Sequence, residues 1–442
     1  MSLPRYEKYK DSGVEWLGAV PAHWQTVPLK HLAEFINGDA FKPTDWAEAG
    51  VPIIRIQNLN GGEEFNYFNG NIEDRYLVHD GDLLFGWSGN RGTSFGPFLW
   101  RRQEVCALNQ HIFRVVPRSM ERRSMYWLLK AVTAHVEDQA HGIIGMVHVT
   151  KGDLGAINVP VPTLPEQAAI ATFLDHETAK IDALVDEQKH LIELLKEKRQ
   201  AAISHAVTKG LNPNAAMKDS GVDWLEEVPA HWEVRSLRTL ASVVRGASPR
   251  PAGDPAFFNG DFIPWVTVAE ITKDDLVELT GTDSYLTEDG AVRSRIFQCG
   301  TVVYSNSGAT LGVPKILRVD ACANDGVVGF ESLSDGLNPL FLYDYLLSLT
   351  STIREMVKQG SGQPNLNTSI VKAIPLALPP PAEQAEICRH IDQIAQRFGV
   401  LTVEAEAAVG LLQERRTALI SAAVTGKIDV RSKVKPPEPA LA

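Results

Sequence analysis

The sequence predicts an α/β (α+β) chain. Two similar mixed α/β domains are separated by two long helices that pair as an antiparallel coiled coil, the whole with pseudo-two-fold symmetry. Three observations predict this. The chain repeats itself at an offset of 208 to 217 residues, two long segments carry a sustained three–four apolar spacing, and the stretches between them alternate short β-prone runs with Gly, Asn, Asp and Pro clusters.

The repeat is explicit. Asp11-Ser12-Gly13-Val14-Glu15-Trp16-Leu17 returns as Asp219-Ser220-Gly221-Val222-Asp223-Trp224-Leu225, and Val20-Pro21-Ala22-His23-Trp24 returns as Val228-Pro229-Ala230-His231-Trp232. Glu197-Lys198-Arg199, Ala201, Ile203-Ser204 and Ala206-Val207-Thr208 are answered by Glu414-Arg415-Arg416, Ala418, Ile420-Ser421 and Ala423-Val424-Thr425. Solenoid repeats run roughly 20–50 residues, so this period means two domains in one chain, a covalent pseudo-dimer.

The first helical segment opens after Pro160, Pro162 and Pro165, residues that suit a helix start. Its seam is Leu174, Ile181, Leu184, Leu191 and Leu195; that of the second copy includes Ile391, Ile394, Phe398, Leu401 and Leu412. A shift of 217 superposes Leu412 on Leu195 and Leu401 on Leu184. Each helix is about 40 residues, or roughly 60 Å. As an antiparallel pair they form a ruler.

The interiors read as strand-rich: Val51-Pro52-Ile53-Ile54, Asp82-Leu83-Leu84-Phe85 and Ile112-Phe113-Arg114-Val115-Val116 in the first, Ile263-Pro264-Trp265-Val266 and Thr301-Val302-Val303-Tyr304 in the second. Shorter helices are predicted over 122–137 and 341–358. The division is a lead-in segment 1–24, a domain 25–160, a long helix 161–209, a second lead-in 210–232, a domain 233–377, a long helix 378–427 and a disordered tail 428–442.

Composition is ordinary for a globular chain, with 44% hydrophobic and 22% charged residues in 442. No apolar run approaches the ~20 residues of a membrane span, and the N-terminus has no signal-peptide pattern, so a cytoplasmic location without membrane contact is expected. Cys106, Cys299, Cys322 and Cys388 have no metal-ligand spacing and read as buried free thiols. The net charge is −11; residues 21–155 carry 13 Lys and Arg against 15 Asp and Glu, and residues 229–373 carry 12 against 16. A nucleic-acid ligand would require positive charge concentrated on one face, or partners that share the phosphate contacts.

No catalytic constellation emerges. Asp254-Pro255-Ala256-Phe257 and Asn338-Pro339-Leu340-Phe341 approach the base-gripping loop of amino-methyltransferases but lack its second proline. Thr425-Gly426-Lys427-Ile428 lacks the rest of a P-loop, and Glu187-Gln188-Lys189 sits on a helix with no upstream Pro-Asp. His23 and His231 read as structural hydrogen-bonding groups, Trp24 and Trp232 as buried anchors.

The ordered, duplicated combination of Val-Pro-x-His-Trp before each domain, Pro165-Glu166-Gln167 or Ala382-Glu383-Gln384 before each long helix, and Arg-x-Ala-x-Ile-Ser-x-Ala-Val-Thr at each helix end resembles the specificity subunit of a type I restriction-modification system. Gly360-Ser361-Gly362-Gln363-Pro364-Asn365-Leu366 also looks like a loop of that family, from which His141-Gly142-Ile143-Ile144-Gly145-Met146 departs. The resemblance implies two target-recognition domains that each read half of an asymmetric bipartite site on double-stranded DNA. It also implies two methyltransferase subunits docked on the helices, and restriction/translocase subunits beyond them. S-adenosylmethionine, Mg and ATP belong to those partners and no cofactor to this chain. A rigid ruler sets half-sites about one helical turn apart, ~34 Å. Because Arg reads G, and Asn or Gln reads A, the candidate readers are polar and cationic loop residues. In the first domain they are Arg55, Gln57, Asn58, Trp87, Ser88, Asn90 and Arg91. In the second they are Arg245, Ser248, Arg250, Ser305, Asn306, Gln363, Asn365 and Asn367. The competing readings are a protein-binding scaffold and a diverged stand-alone DNA methyltransferase or nuclease.

Overall fold

A computed structural model describes residues 3–139, 146–308, 310–358 and 366–433. The chain divides into two compact units, one of residues 1–189 with 407–442, the other of residues 190–406. Each unit holds a half of both long helices, Leu164–Lys209 and Pro381–Val424.

Within unit 1, an antiparallel sheet runs in the order Gly96–Leu99, Leu83–Gly86, Ile112–Pro117, Ala33–Asn37. A second sheet runs Asn66–Phe68, Val51–Ile54, Cys106–Leu108, Leu77–Val78, with a parallel pairing at its centre. Unit 2 repeats both orders. Pro314–Leu317, Val302–Ser305, Val327–Glu331 and Ser242–Arg245 form its first sheet, which gains Glu278–Leu279 at the edge. Its second is Tyr285–Leu286, Phe258–Val266, Ala321–Ala323, Ile296–Phe297. The central strands are buried on both faces, which explains why they read as continuous apolar runs.

A helix covers Arg122–Gln139 in unit 1. The matching region of unit 2 is two helices, Pro339–Ser348 and Thr350–Lys358, rather than one. The break falls where the Thr350 hydroxyl donates to the Gly312 carbonyl at 2.6 Å. Asn338 caps the first of these helices through Leu340 N, and Asp254 accepts from Ala256 N, so both Asx-Pro segments serve local turns.

The long helices pair antiparallel within each unit. In unit 1, Ile170 and Leu174 share a core with Ile420, Ala423 and Val424, and Arg416 forks onto Asp182 at 2.8 and 3.3 Å. In unit 2, Ile203 and Val207 share a core with Ile387 and Ile391. The predicted seam needs correction. Leu174, Ile181 and Leu195 are buried, but Leu184, Leu191 and Leu401 are 45%, 41% and 39% exposed. The further buried rungs are Thr178 and Val185, four residues after Leu174 and Ile181, and Ile192, three before Leu195. Thr178 disguises this phase in the sequence; its hydroxyl is satisfied by the Leu174 carbonyl at 2.6 Å, so it packs as an apolar residue. Thr402 repeats the device on Phe398.

The duplicated motifs clasp the helix ends. Glu166 accepts from Thr163 N at 3.0 Å and from the Thr163 hydroxyl at 2.6 Å. The same carboxylate bonds His23 Nε2 at 2.8 Å and accepts from Trp24 Nε1 at 3.2 Å. Burial opposes its charge, but the bonds from Thr163, His23 and Trp24 outweigh burial and hold it below the usual carboxylate range. Glu383 bonds His231 at 2.8 Å, whereas Trp232 Nε1 has no partner among the described residues. At the far ends, Lys427 donates to Leu17 and Ala19 carbonyls, and Lys209 to those of Leu225 and Glu227. Gly426, at φ +74°, lies so close to Pro21 that a Cβ would sit 2.4 Å from its ring. The tail is ordered further than predicted: Val430 is buried and Asp429 N donates to the Pro4 carbonyl, while residues 434–442 lie outside the described residues. Of the four thiols, Cys299 is exposed, contrary to expectation, and the other three are buried. Among the described residues no helix is long and apolar enough to cross a membrane.

Asp344 lies 5% exposed in the unit 2 core, beside the Cys388 thiol and Asp392. Burial, reinforced by Asp392, pushes its carboxyl from 3.8 up to about 7. The native state therefore retains a proton that the unfolded chain releases, and unit 2 loses stability as pH rises between those values. Asp344→Asn is expected to flatten this slope and to stabilise unit 2 at pH 8 by about 2–4 kcal/mol. Urea denaturation at pH 5 and pH 8 checks it; parallel pH dependences in the two proteins would contradict it.

Candidate nucleic-acid interface

In unit 1 the loop residues fall into two groups. Arg55 precedes the short helix Ile56–Leu59; its guanidinium donates to Asn66 Oδ1 at 2.9 Å and lies 5.0 Å over the Trp46 ring. Gln57 is exposed. Asn58 is not: 6% exposed, it accepts from Arg55 N and donates to the Gly62 and Glu64 carbonyls, a structural role. The second group lies beyond Gly86. The Trp87 indole donates to the Gln110 carbonyl at 3.0 Å, and its ring stacks on Phe113 and meets His111 and His148. Ser88–Asn90 pairs with Met146–His148. The exposed Arg91 donates to the Glu137 carbonyl and Gly92 N to the Glu137 carboxylate, tying this loop to the end of the 122–139 helix.

In unit 2 three candidates converge on one residue that the sequence reading missed. Arg245 Nε donates to the Asp325 carbonyl at 2.5 Å, Arg250 Nη2 to its carboxylate at 3.1 Å, and Ser248 N to the same carboxylate at 3.3 Å. The Arg250 side chain stays 72% exposed, so this ion pair aims the guanidinium rather than stabilising the fold. In the sequence Cys322-Ala323-Asn324 echoes Ala107-Leu108-Asn109 and so marks the residue next to Asp325, but an acidic residue offers no sign of a DNA-facing loop.

Ser305 and Asn306 are buried, 0% and 1% exposed. Ser305 donates to the Thr310 carbonyl and accepts from Val313 N, because the strand that carries it is central in its sheet. Neither residue reaches a base in this conformation. Asn367 caps the helix Thr368–Ala373, accepting from Ile370 N at 2.9 Å. Gln363 and Asn365 lie outside the described residues. Among the described residues no cluster of metal-ligating side chains occurs.

Comparison with known proteins gives this geometry a family. The specificity subunit of the type I restriction enzyme EcoBI from Escherichia coli is 23% identical over 97% of this chain and 91% of its own length. That of MjaVIII from Methanocaldococcus jannaschii is 22% identical over 93% of this chain and 95% of its own. Among solved structures, a chain from a study of complex assembly and conformational transition of a type I restriction-modification system superposes with a TM-score of 0.67. It covers 92% of this chain and 98% of its own at 16% identity. The pattern of the type I restriction modification DNA specificity domain matches residues 21–194 and again 229–403. The chain therefore belongs to the type I restriction-modification specificity family and carries its DNA specificity domain twice.

Proposed function

We propose that this chain is the non-catalytic, cytoplasmic subunit that gives an adenine methyltransferase and restriction complex its sequence specificity. Each unit reads one half of an asymmetric bipartite site on double-stranded DNA. The long helices set the spacer. The single observation that supports this best is the two-fold occurrence of one sheet topology with different loops: Arg55, Gln57, Trp87, Ser88, Asn90 and Arg91 in one copy, Arg245, Ser248 and Arg250 in the other. Gln363, Asn365 and Asn367 extend the second set. Two methyltransferase subunits dock on the long helices, whose exposed Leu184, Leu191, Leu194, Val400, Leu401 and Val403 are apolar surface in need of a cover. Restriction/translocase subunits complete the assembly. S-adenosylmethionine, Mg and ATP are held by those partners.

Because Asp325 aims both guanidinium groups of unit 2, Arg245→Ala with Arg250→Ala is expected to weaken binding of the assembled complex to its target roughly ten- to a hundredfold. Co-purification with the methyltransferase should stay intact. Fluorescence anisotropy on a labelled duplex, beside size-exclusion of the complex, checks both. Unchanged DNA affinity with lost assembly would favour a protein-binding scaffold. Methyl transfer from labelled S-adenosylmethionine by the chain alone would favour a stand-alone enzyme.

A further inference from the structure

The offset of 217 matches the two copies down to single hydrogen bonds. Glu121 N donates to Gln167 Oε1 at 3.4 Å in unit 1, and Asn338 N to Gln384 Oε1 at 2.9 Å in unit 2. Met125, Leu128 and Leu129 are buried in the helix Arg122–Gln139, and Leu342, Tyr345 and Leu346 in the helix Pro339–Ser348. On the same alignment Trp127 corresponds to Asp344, and both are buried, at 4% and 5% exposure.

In unit 1 that indole fills the space between its own helix and the first long helix. Its Nε1 donates to Asp175 Oδ1 at 2.8 Å, and Arg123 Nε donates to the same carboxylate at 2.9 Å. Unit 2 keeps the carboxylate, as Asp392, and has neither donor. Asp344 stands where the indole would be, Leu340 where Arg123 would be. The opposite wall makes up little of the lost volume, since Cys388 replaces Ala171. The result is a cavity of about 580 Å³, bordered by Asp344, Cys388, Ile391 and Asp392 among others. Gln396 donates to Asp392 Oδ2 at 2.9 Å from within the same helix, but among the described residues no donor reaches this carboxylate from the helix opposite.

A second group in the wall has lost its partner in the same way. Arg416 forks onto Asp182 in unit 1, and the matching positions in unit 2 are Arg199 and Gly399. Arg199 lines the cavity, and its buried Nε has no partner among the described residues. A guanidinium in this state can stack on an aromatic face. Leu340, Leu347 and Ile391 add apolar wall. Burial keeps the Asp344 carboxyl protonated up to about 7, so below that pH the inner end is uncharged.

We propose that the unit 2 cavity binds a small, uncharged fused heteroaromatic of the indole class, whose ring N–H donates to Asp392 and whose body takes the place of the Trp127 side chain. Water would satisfy Asp392 but gain nothing from the apolar wall. A cation would suit Asp392 but meet Lys196 and Arg199, which line the same space. A neutral ring with one N–H answers both demands.

Indole itself is the probe. The full chain is titrated with it by saturation-transfer NMR, while hydrogen exchange follows the helices Pro339–Ser348 and Arg122–Gln139 in the same sample. The expected result is saturable binding, with added protection in the first helix and none in the second, where Trp127 already fills the place. N-methylindole keeps the rings and lacks the donor, so it should bind roughly tenfold or more weakly. Asp392→Ala, at an exposed position, should weaken indole by a similar factor, and Asp344→Trp should abolish its binding. Binding that does not saturate, protection raised equally in both helices, or N-methylindole bound as tightly as indole overturns the proposal. So does wild-type affinity for indole in Asp392→Ala or in a folded Asp344→Trp. Should Asp344→Trp fail to fold, Asp392→Ala and N-methylindole decide the matter alone.

Discussion

Trp24→Ala is expected to cost unit 1 about 3–5 kcal/mol, a large share of a domain's stability. The indole is fully buried, packs edge-on against Tyr6 with ring centroids 5.6 Å apart, and lies where Gly426 passes the lead-in segment. Its loss opens a cavity where the first residues of the chain, the start of one long helix and the end of the other meet. The milder pair separates packing from hydrogen bonding. Trp24→Phe removes a donor from the buried Glu166 carboxylate and should cost about 1–3 kcal/mol beyond the lost volume. Trp232→Phe removes an indole N–H that has no partner among the described residues, so it should cost less. Hydrogen-exchange mass spectrometry reads the two units separately, through the strands Ile112–Pro117 and Val327–Glu331. Equal loss of protection in the two Phe variants would show that the Glu166 bond contributes nothing.

The second large effect lies on the helices. Leu174→Asp places a carboxylate at a position with 0% exposure, among Ile170, Ile420 and Ala423, and is expected to cost more than about 4 kcal/mol. Leu184→Asp and Leu401→Asp, at sites 45% and 39% exposed, should change the stability of the isolated chain by less than about 1 kcal/mol. Chemical denaturation of the three variants tests the seam. If Leu184→Asp proves as damaging as Leu174→Asp, the buried phase is the one that the leucines alone indicate, not the one that runs through Thr178 and Val185.

That contrast shows what was legible in the sequence. Duplication gave the frame, because repeated motifs keep their wording where they grip the same structure: His23 and His231, Trp24 and Trp232, Glu166 and Glu383. The helical period was legible as well, but not its phase. A threonine that bonds its own helix counts as polar in sequence and packs as apolar in the fold, and this misassigned Leu184, Leu191 and Leu401. Base readers were harder still. Asn58, Ser305 and Asn306 have the residue types and loop-edge positions that a reader needs, yet Asn58 and Ser305 satisfy nearby backbone groups and Asn306 is sealed within the fold. Asp325 was invisible because its sign is wrong for DNA, although it aims two guanidinium groups. Pairing across 77 residues, as between Ser248 and Asp325, leaves no local trace.

The measurement that bears most directly on the proposed function is a map of N6-methyladenine across the host genome by single-molecule sequencing, with and without this gene. The account predicts one bipartite motif, two unlike half-sites with a fixed non-specific spacer, that vanishes on deletion and returns on complementation. It further predicts that Arg245→Ala with Arg250→Ala relaxes or abolishes one half-site and leaves the other sequence unchanged. An identical methylation map with and without an expressed gene would contradict the account and leave the scaffold reading in its place.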